Sequence, residues 1–182
     1  MGDHNGKYAA NTRRRLLLLR HAKSDWPDDA EDHERPLAKR GRKAALLVAD
    51  YMVKKRLRPD VVLVSGARRT RETWAFIESR LTKTTEIRIL ETLYEAPAER
   101  ILALLRDLHP KYRDVLVLAH NPGLQDIALR LASNGEGDAL ARLRDKFPTG
   151  ALACILFDAE DWNQVGEGRG YLERFVVPRS LA

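Results

Sequence analysis

Arg20-His21, the pair Arg68-Arg69 that follows Ser65, His120-Asn121, and the acids Glu91 and Glu95 are side chains whose types could do chemistry together. Arginine forks offer permanently charged, paired donors that match phosphoryl oxygens. A histidine beside guanidinium groups has its pKa pushed down by like charge, which leaves an imidazole lone pair available for attack. Histidine is also one of the few side chains that form covalent intermediates, so His21 is a candidate nucleophile. Meeting at one place, these groups would make an anion site best matched to a tetrahedral phosphoryl group.

That meeting depends on the elements that carry them. Short β-branched or leucine-rich runs at 15–19, 60–65, 86–90, 114–119, 151–158 and 171–177 alternate with segments of helical period. This is the pattern of an α/β layer fold with a largely parallel sheet covered on both faces. Residues 38–56 read as a helix with Ala44, Leu47, Val48, Tyr51 and Met52 on one stripe, and Trp74, Ile77 and Leu81 mark the next helix. Pro97 and Asn121-Pro122 read as helix starts, with Asn121 as N-cap and its backbone N–H an extra phosphate donor. The glycine-rich stretch 163–170 reads as a hairpin turn. In open parallel sheets ligands bind at the carboxyl ends of strands, and the first, second and fourth strands end at Arg20-His21, Ser65 and His120-Asn121.

Composition sets the outer limits. The chain has 182 residues, 44% hydrophobic, and a formal charge of +6, enough for one core and a field that favours anions. The single cysteine, Cys154, excludes a disulfide scaffold. No apolar run approaches the length of a membrane span, and no signal-peptide core follows the N-terminus. The expectation is a cytoplasmic protein with a disordered leader at 1–11 and one domain over 12–182. Asp25, Asp28, Asp29, Asp32 and His33 match no established metal loop and read as a rim of acids, so no metal and no cofactor is expected. Ordinary structural readings compete at each position. His21 could be a core-edge histidine, Arg69 a solvated helix charge beside Arg68 and Arg71, and Lys23 and Ser24 plain loop residues rather than a phosphate rim.

Arg20-His21-Ala22-Lys23-Ser24, the run from Val64-Ser65-Gly66-Ala67-Arg68-Arg69 to Thr73, and Leu118-Ala119-His120-Asn121-Pro122 together resemble the histidine phosphatase superfamily, the phosphoglycerate-mutase-like fold. Among its members the chain looks like the small SixA-type phosphohistidine phosphatases. The likeness runs from residue 15 to 178. It implies a three-layer α/β/α sandwich on a mostly parallel six-stranded sheet with one antiparallel edge hairpin. It implies a phosphoryl group carried on His21, with Arg20, Arg69 and His120 on its equatorial oxygens and Glu95 as proton donor. Ala22, Gly66 and Glu72 stand where the family commonly has glycine, proline and glutamine, which bears on whether Arg68 or Arg69 points inward; the spacing from Ser65 favours Arg69.

The reading that follows is a metal-independent phosphatase acting on phosphohistidine in a protein. A small-molecule phosphomonoesterase or a mutase would use the same site on a small phosphorylated metabolite. A mutase needs a lid, and only 91–112 separates the third and fourth strands. A basic nucleic-acid-binding module, suggested by Arg13 to Arg15, is the weaker alternative. The low aromatic content argues against base stacking, so neither a nucleic acid nor a membrane is an expected partner.

Overall fold

The computed structural model describes residues 12–82 and 85–182, so the expected leader lies outside the described residues. Seven strands form one sheet in the order β3-β2-β4-β1-β6-β7-β5. They are β1 (Arg13–Arg20), β2 (Val61–Ser65), β3 (Glu86–Leu90), β4 (Asp114–Ala119), β5 (Ala132–Gly135), β6 (Leu152–Asp158) and β7 (Gly170–Val176). The helices are α1 (Lys39–Lys54), α2 (Arg68–Glu78), α3 (Ala98–Arg106), α4 (Gly123–Leu131) and α5 (Ala139–Asp145).

The sandwich follows from the alternation of side chains along the central strands. Leu16 and Leu18 of β1, Val61 and Leu63 of β2, and Val115 and Val117 of β4 pack on one face, against α3 and α4. Leu17 and Leu19, Val62 and Val64, and Leu116 and Leu118 pack on the other, against α1 and α2. A strand apolar at every position has both of its faces covered, which is why these runs show no polar alternation.

The sheet departs from the expected six strands. Strand β5 pairs in parallel with β7 and forms the far edge, so the β6–β7 hairpin is interior and β6 alone runs against the rest. Its sequence, Ala-Ser-Asn-Gly, has no apolar alternation to reveal it, and α5, which follows, has only seven residues. The buried face of α1 is Gly41, Ala45, Val48, Ala49 and Met52, which keeps Val48 and Met52 of the expected stripe and leaves Ala44, Leu47 and Tyr51 half-buried at its side. The face is turned by less than one residue step of ~100°. The cause is packing: a Cβ on Gly41 would lie 2.0 Å from the Lys23 carbonyl oxygen, so this face of α1 rests directly on the loop after β1.

The basic run at the start of β1 is consumed by the sheet. Arg15 makes a two-pronged ion pair with Asp114 of β4, and buried Arg14 donates to the carbonyls of Pro110 and Glu160. Strand β1 therefore begins at Arg13, two residues earlier than the expected start at 15, and these cations are not a free basic patch.

Cys154 is buried in mid-β6, and burial pushes its thiol pKa up to about 12. The thiolate is the reactive form. A thiol-labelling reagent is expected to leave the native protein unmodified and to titrate one thiol in denaturant. Rapid labelling of the native protein would show that β6 opens locally.

Candidate active site

Strands β2, β4 and β1 are adjacent and parallel, so their carboxyl ends share one edge of the sheet. Arg20 is in register with Ala119, which makes His21 and His120 the next residues on neighbouring strands. Their rings lie 5.2 Å apart between centroids. Ser65 ends β2 on the same edge, and its Oγ is 2.7 Å from Nε2 of His120. Arg69 follows in the first turn of α2 and is only 5% exposed, whereas Arg68 is exposed and pairs with Glu72. Of the two arginines, it is Arg69 that faces inward.

Arg20, His21, Arg69 and His120 line a crevice of about 230 Å³ whose wall also includes Lys23, Ser24, Glu95, Asn121, Asp32, Arg35 and Thr149. Arg20, His21, Lys23, Ser24, Arg69, Glu95, His120 and Asn121 therefore meet at one place, whereas Glu91 is exposed and pairs with His33 outside the crevice. Some serve there differently from expectation. Buried Ser24 accepts a hydrogen bond from Arg35, so its hydroxyl supports the loop rather than standing free on the rim. Asn121 does not cap α4. The N-cap is Pro122, the Asn121-Pro122 peptide is cis, and the Asn121 amide donates to Gln125 and to the Phe147 carbonyl. Glu95 lies ahead of α3, whose N-cap is Pro97, and so stands on the crevice wall rather than in a helix turn.

Asp32 and Tyr94 are the functional neighbours that sequence reasoning missed. The loop from Asp25 is pinned at its base by the Ser24–Leu37 bridge and by Asp25 N–H donating to the Pro36 carbonyl. It delivers the Asp32 carboxylate to Arg69 at 3.0 Å, to Arg35 at 3.0 Å and to the Tyr94 hydroxyl at 2.6 Å. The Tyr94 hydrogen bond first, then Arg35 and Arg69, hold this carboxyl far below the usual carboxylate range. An acid so firmly ionised cannot donate a proton; Glu95 is the other carboxylate on the crevice wall.

Hydrogen bonding fixes the tautomer of each imidazole. Nδ1 of His21 is 2.8 Å from the Ala22 carbonyl, which can only accept, so the proton sits on Nδ1 and Nε2 keeps its lone pair. Burial, then the charges of His120, Arg69 and Arg20, lower the His21 pKa to about 3 against the Ala22 hydrogen bond. His120 is lowered to about 4 by burial and by Arg69, whose Nη2 lies 3.3 Å from His120 Nδ1. Both rings are thus neutral at ordinary pH.

These shifts carry a stability signature. Folded pKa values below the ordinary 6.5 mean that the unfolded chain binds more protons as the pH drops from 6.5 toward about 4. Stability is therefore full above 6.5 and declines through that window. Thermal melts are expected to fall over this range, and less steeply in His21→Asn than in the parent. Identical slopes would assign the acid sensitivity to other groups.

Two donors at the site have no acceptor in the protein. Arg20 Nε and Arg69 Nε are buried without a hydrogen-bond partner among the described residues, although Arg20 Nη1 reaches the Phe147 carbonyl and Arg69 is clamped by Asp32. Buried polar groups of this kind cost free energy unless a ligand completes them. An anion seated beside a neutral histidine would satisfy both.

An α/β sandwich with two histidines and two arginines at the carboxyl edge of its sheet defines a phosphoryl-handling enzyme, a phosphatase by class. Residues 16–100 match the family model of the histidine phosphatase superfamily, branch 1. An uncharacterized protein of Mycobacterium tuberculosis is 35% identical over 163 residues, spanning 88% of this chain and all of that protein. A protein from Agrobacterium tumefaciens, provisionally named phosphohistidine phosphatase SixA, is 29% identical in sequence. It superposes with a TM-score of 0.76 over 91% of this chain and 98% of its own. A protein from Nakamurella multipartitia with the same provisional name gives 0.77 at 26% identity, over 90% and 95%. The chain belongs to the histidine phosphatase superfamily.

Proposed function

We propose that the chain removes the phosphoryl group from phosphohistidine in a protein, through a covalent intermediate on His21 and without a metal. The observation that carries this reading is the neutral His21, its Nε2 lone pair free, beside two arginines whose buried Nε–H donors have no partner among the described residues. In the first step Nε2 of His21 attacks phosphorus, the P–N bond to the substrate imidazole breaks, and Glu95 supplies the proton that the leaving ring needs. In the second step Glu95 takes a proton from water, the hydroxyl attacks phosphorus, and the P–Nε2 bond breaks to release phosphate.

Arg20 and Arg69 neutralise the equatorial oxygens throughout, which is most of what phosphoryl transfer asks of a protein. Phosphohistidine suits the site because its protonated leaving group demands little acid catalysis, and Glu95 stands exposed on the wall. The segment between β3 and β4 forms only a 3-10 turn and the nine-residue α3, packed against α4, which favours hydrolysis over a lidded mutase reaction.

The test is a rapid quench with a labelled phosphodonor in the presence of a chelator. An acid-labile, base-stable adduct on the peptide carrying His21 is expected. Absence of the adduct, or loss of turnover on chelation, would reject the mechanism. Turnover of small phosphate monoesters far faster than of phosphohistidine peptides would move the substrate to a metabolite.

A further inference from the structure

A second hollow opens directly beside the crevice. It has a volume of about 540 Å³ and shares Lys23 and Thr149 with the phosphate site. Its floor is apolar, formed by Ala44 of α1, Pro148, Val177 and Pro178. Lys23, Arg40 and Arg179 stand around it, all exposed, and no carboxylate lines it. None of the three cations has an ion pair among the described residues. The arginines on the other side of the crevice are neutralised: Arg35 by Asp32, Arg68 by Glu72, and Arg71 approached by Glu34. The charge at the rim is therefore lopsided, with exposed cations that lack an ion pair among the described residues gathered on the groove side.

The groove is also held rigidly to the nucleophile. Gly150 donates its N–H to the carbonyls of both Arg20 and His21. Its φ of +76° is one that side chains rarely adopt, and a Cβ there would lie 2.8 Å from Pro178. The 148–150 turn thus joins the groove floor to the end of β1, and a body resting on Pro148 and Pro178 is registered against His21.

From this juxtaposition we infer that the groove is a docking surface for an acidic segment of the phosphorylated partner protein. Acidic side chains flanking the phosphohistidine would meet Lys23, Arg40 and Arg179, and an apolar side chain would rest on Pro148 and Pro178. The inference rests on the proposed phosphohistidine reading. A protein segment fits better than a second phosphate on a small molecule because the cations lie on three separate elements and are exposed. The groups that grip a compact dianion, Arg20 and Arg69, by contrast are partly buried and buried respectively, each with its Nε sealed from solvent. Exposed cations around an apolar floor have the make-up of a protein interface, with a polar rim that selects partners by charge.

The experiment compares two peptides that carry the same non-hydrolysable phosphonate analogue of phosphohistidine, one flanked by glutamates and one by lysines. Affinities are measured by fluorescence anisotropy. The parent protein is expected to bind the acidic peptide roughly tenfold more tightly, the sum of a few exposed ion pairs, and the preference is expected to shrink as salt is raised. The double variant Arg40→Glu, Arg179→Glu is expected to abolish the preference while hydrolysing an aryl phosphate at the parent rate. Equal binding of both peptides by the parent, or a preference that survives the double variant, overturns the docking surface. A small phosphorylated dicarboxylate whose binding depends on Arg40 and Arg179 as strongly as the acidic peptide's would also overturn it, in favour of a metabolite subsite. Hydrolysis of true phosphohistidine peptides is followed separately. Selective binding without hydrolysis would remove the proposed reaction and leave the surface standing.

Discussion

Replacing His21 with alanine is expected to lower kcat/KM by roughly 10^4- to 10^6-fold, the scale seen when a covalent nucleophile is deleted. The protein should nonetheless fold. His21 contributes one side-chain hydrogen bond, to its own neighbour Ala22, and its ring is held neutral at a desolvation cost that alanine does not incur. The variant should therefore show a cooperative melt no lower than the parent's by more than a few degrees, together with complete loss of the phosphohistidine adduct. Retention of even a tenth of the activity in a folded His21→Ala protein would remove His21 from the reaction, whatever the fate of the fold assignment.

Arg69→Ala is expected to cost about 10^2- to 10^3-fold in kcat/KM, comparable to the loss of one preorganised donor to a developing anion. Two further readouts separate this from a structural collapse. Arg69 lowers the His120 pKa by charge, so that ring should titrate closer to its ordinary 6.5 in the variant, a shift visible by NMR. Arg69 is also one of three groups that clamp Asp32, but Tyr94 and Arg35 remain, so the loop should keep its place. Arg69→Lys is expected to recover only part of the activity, because an ammonium cannot bond Asp32 and a phosphoryl oxygen through a planar fork. A full recovery would mean that charge alone is needed at that position.

The parts of the molecule that were legible before any coordinates were those set by periodicity and by strand ends. The leucines and valines of β1, β2 and β4 are apolar at consecutive positions, which announces a doubly covered sheet, and a parallel sheet then carries Arg20-His21, Ser65 and His120 to one edge. What stayed hidden has no such pattern. Asp32 reaches the site from an irregular loop, where neither spacing nor hydropathy says which of several acids turns inward. Tyr94 lies between a 3-10 turn and α3, in the same position. The expected cap at Asn121 failed because α4 starts two residues further on, after the Asn121-Pro122 peptide. The face of α1 was misread because alanines and leucines are spread around that helix, and only the close approach of Gly41 to Lys23 selects the buried side.

The Asp32 clamp has a consequence for the end of the catalytic cycle. Two arginines with no counter-ion would hold orthophosphate tightly, and the enzyme would stall on its own product. With Asp32 already occupying one side of the Arg69 fork, an arriving phosphate gains less than the full attraction of both cations, and a departing one leaves behind a charge already balanced. Escape of the product is thereby made easier, and inorganic phosphate is expected to be a weak inhibitor that strengthens when the carboxylate at position 32 is removed.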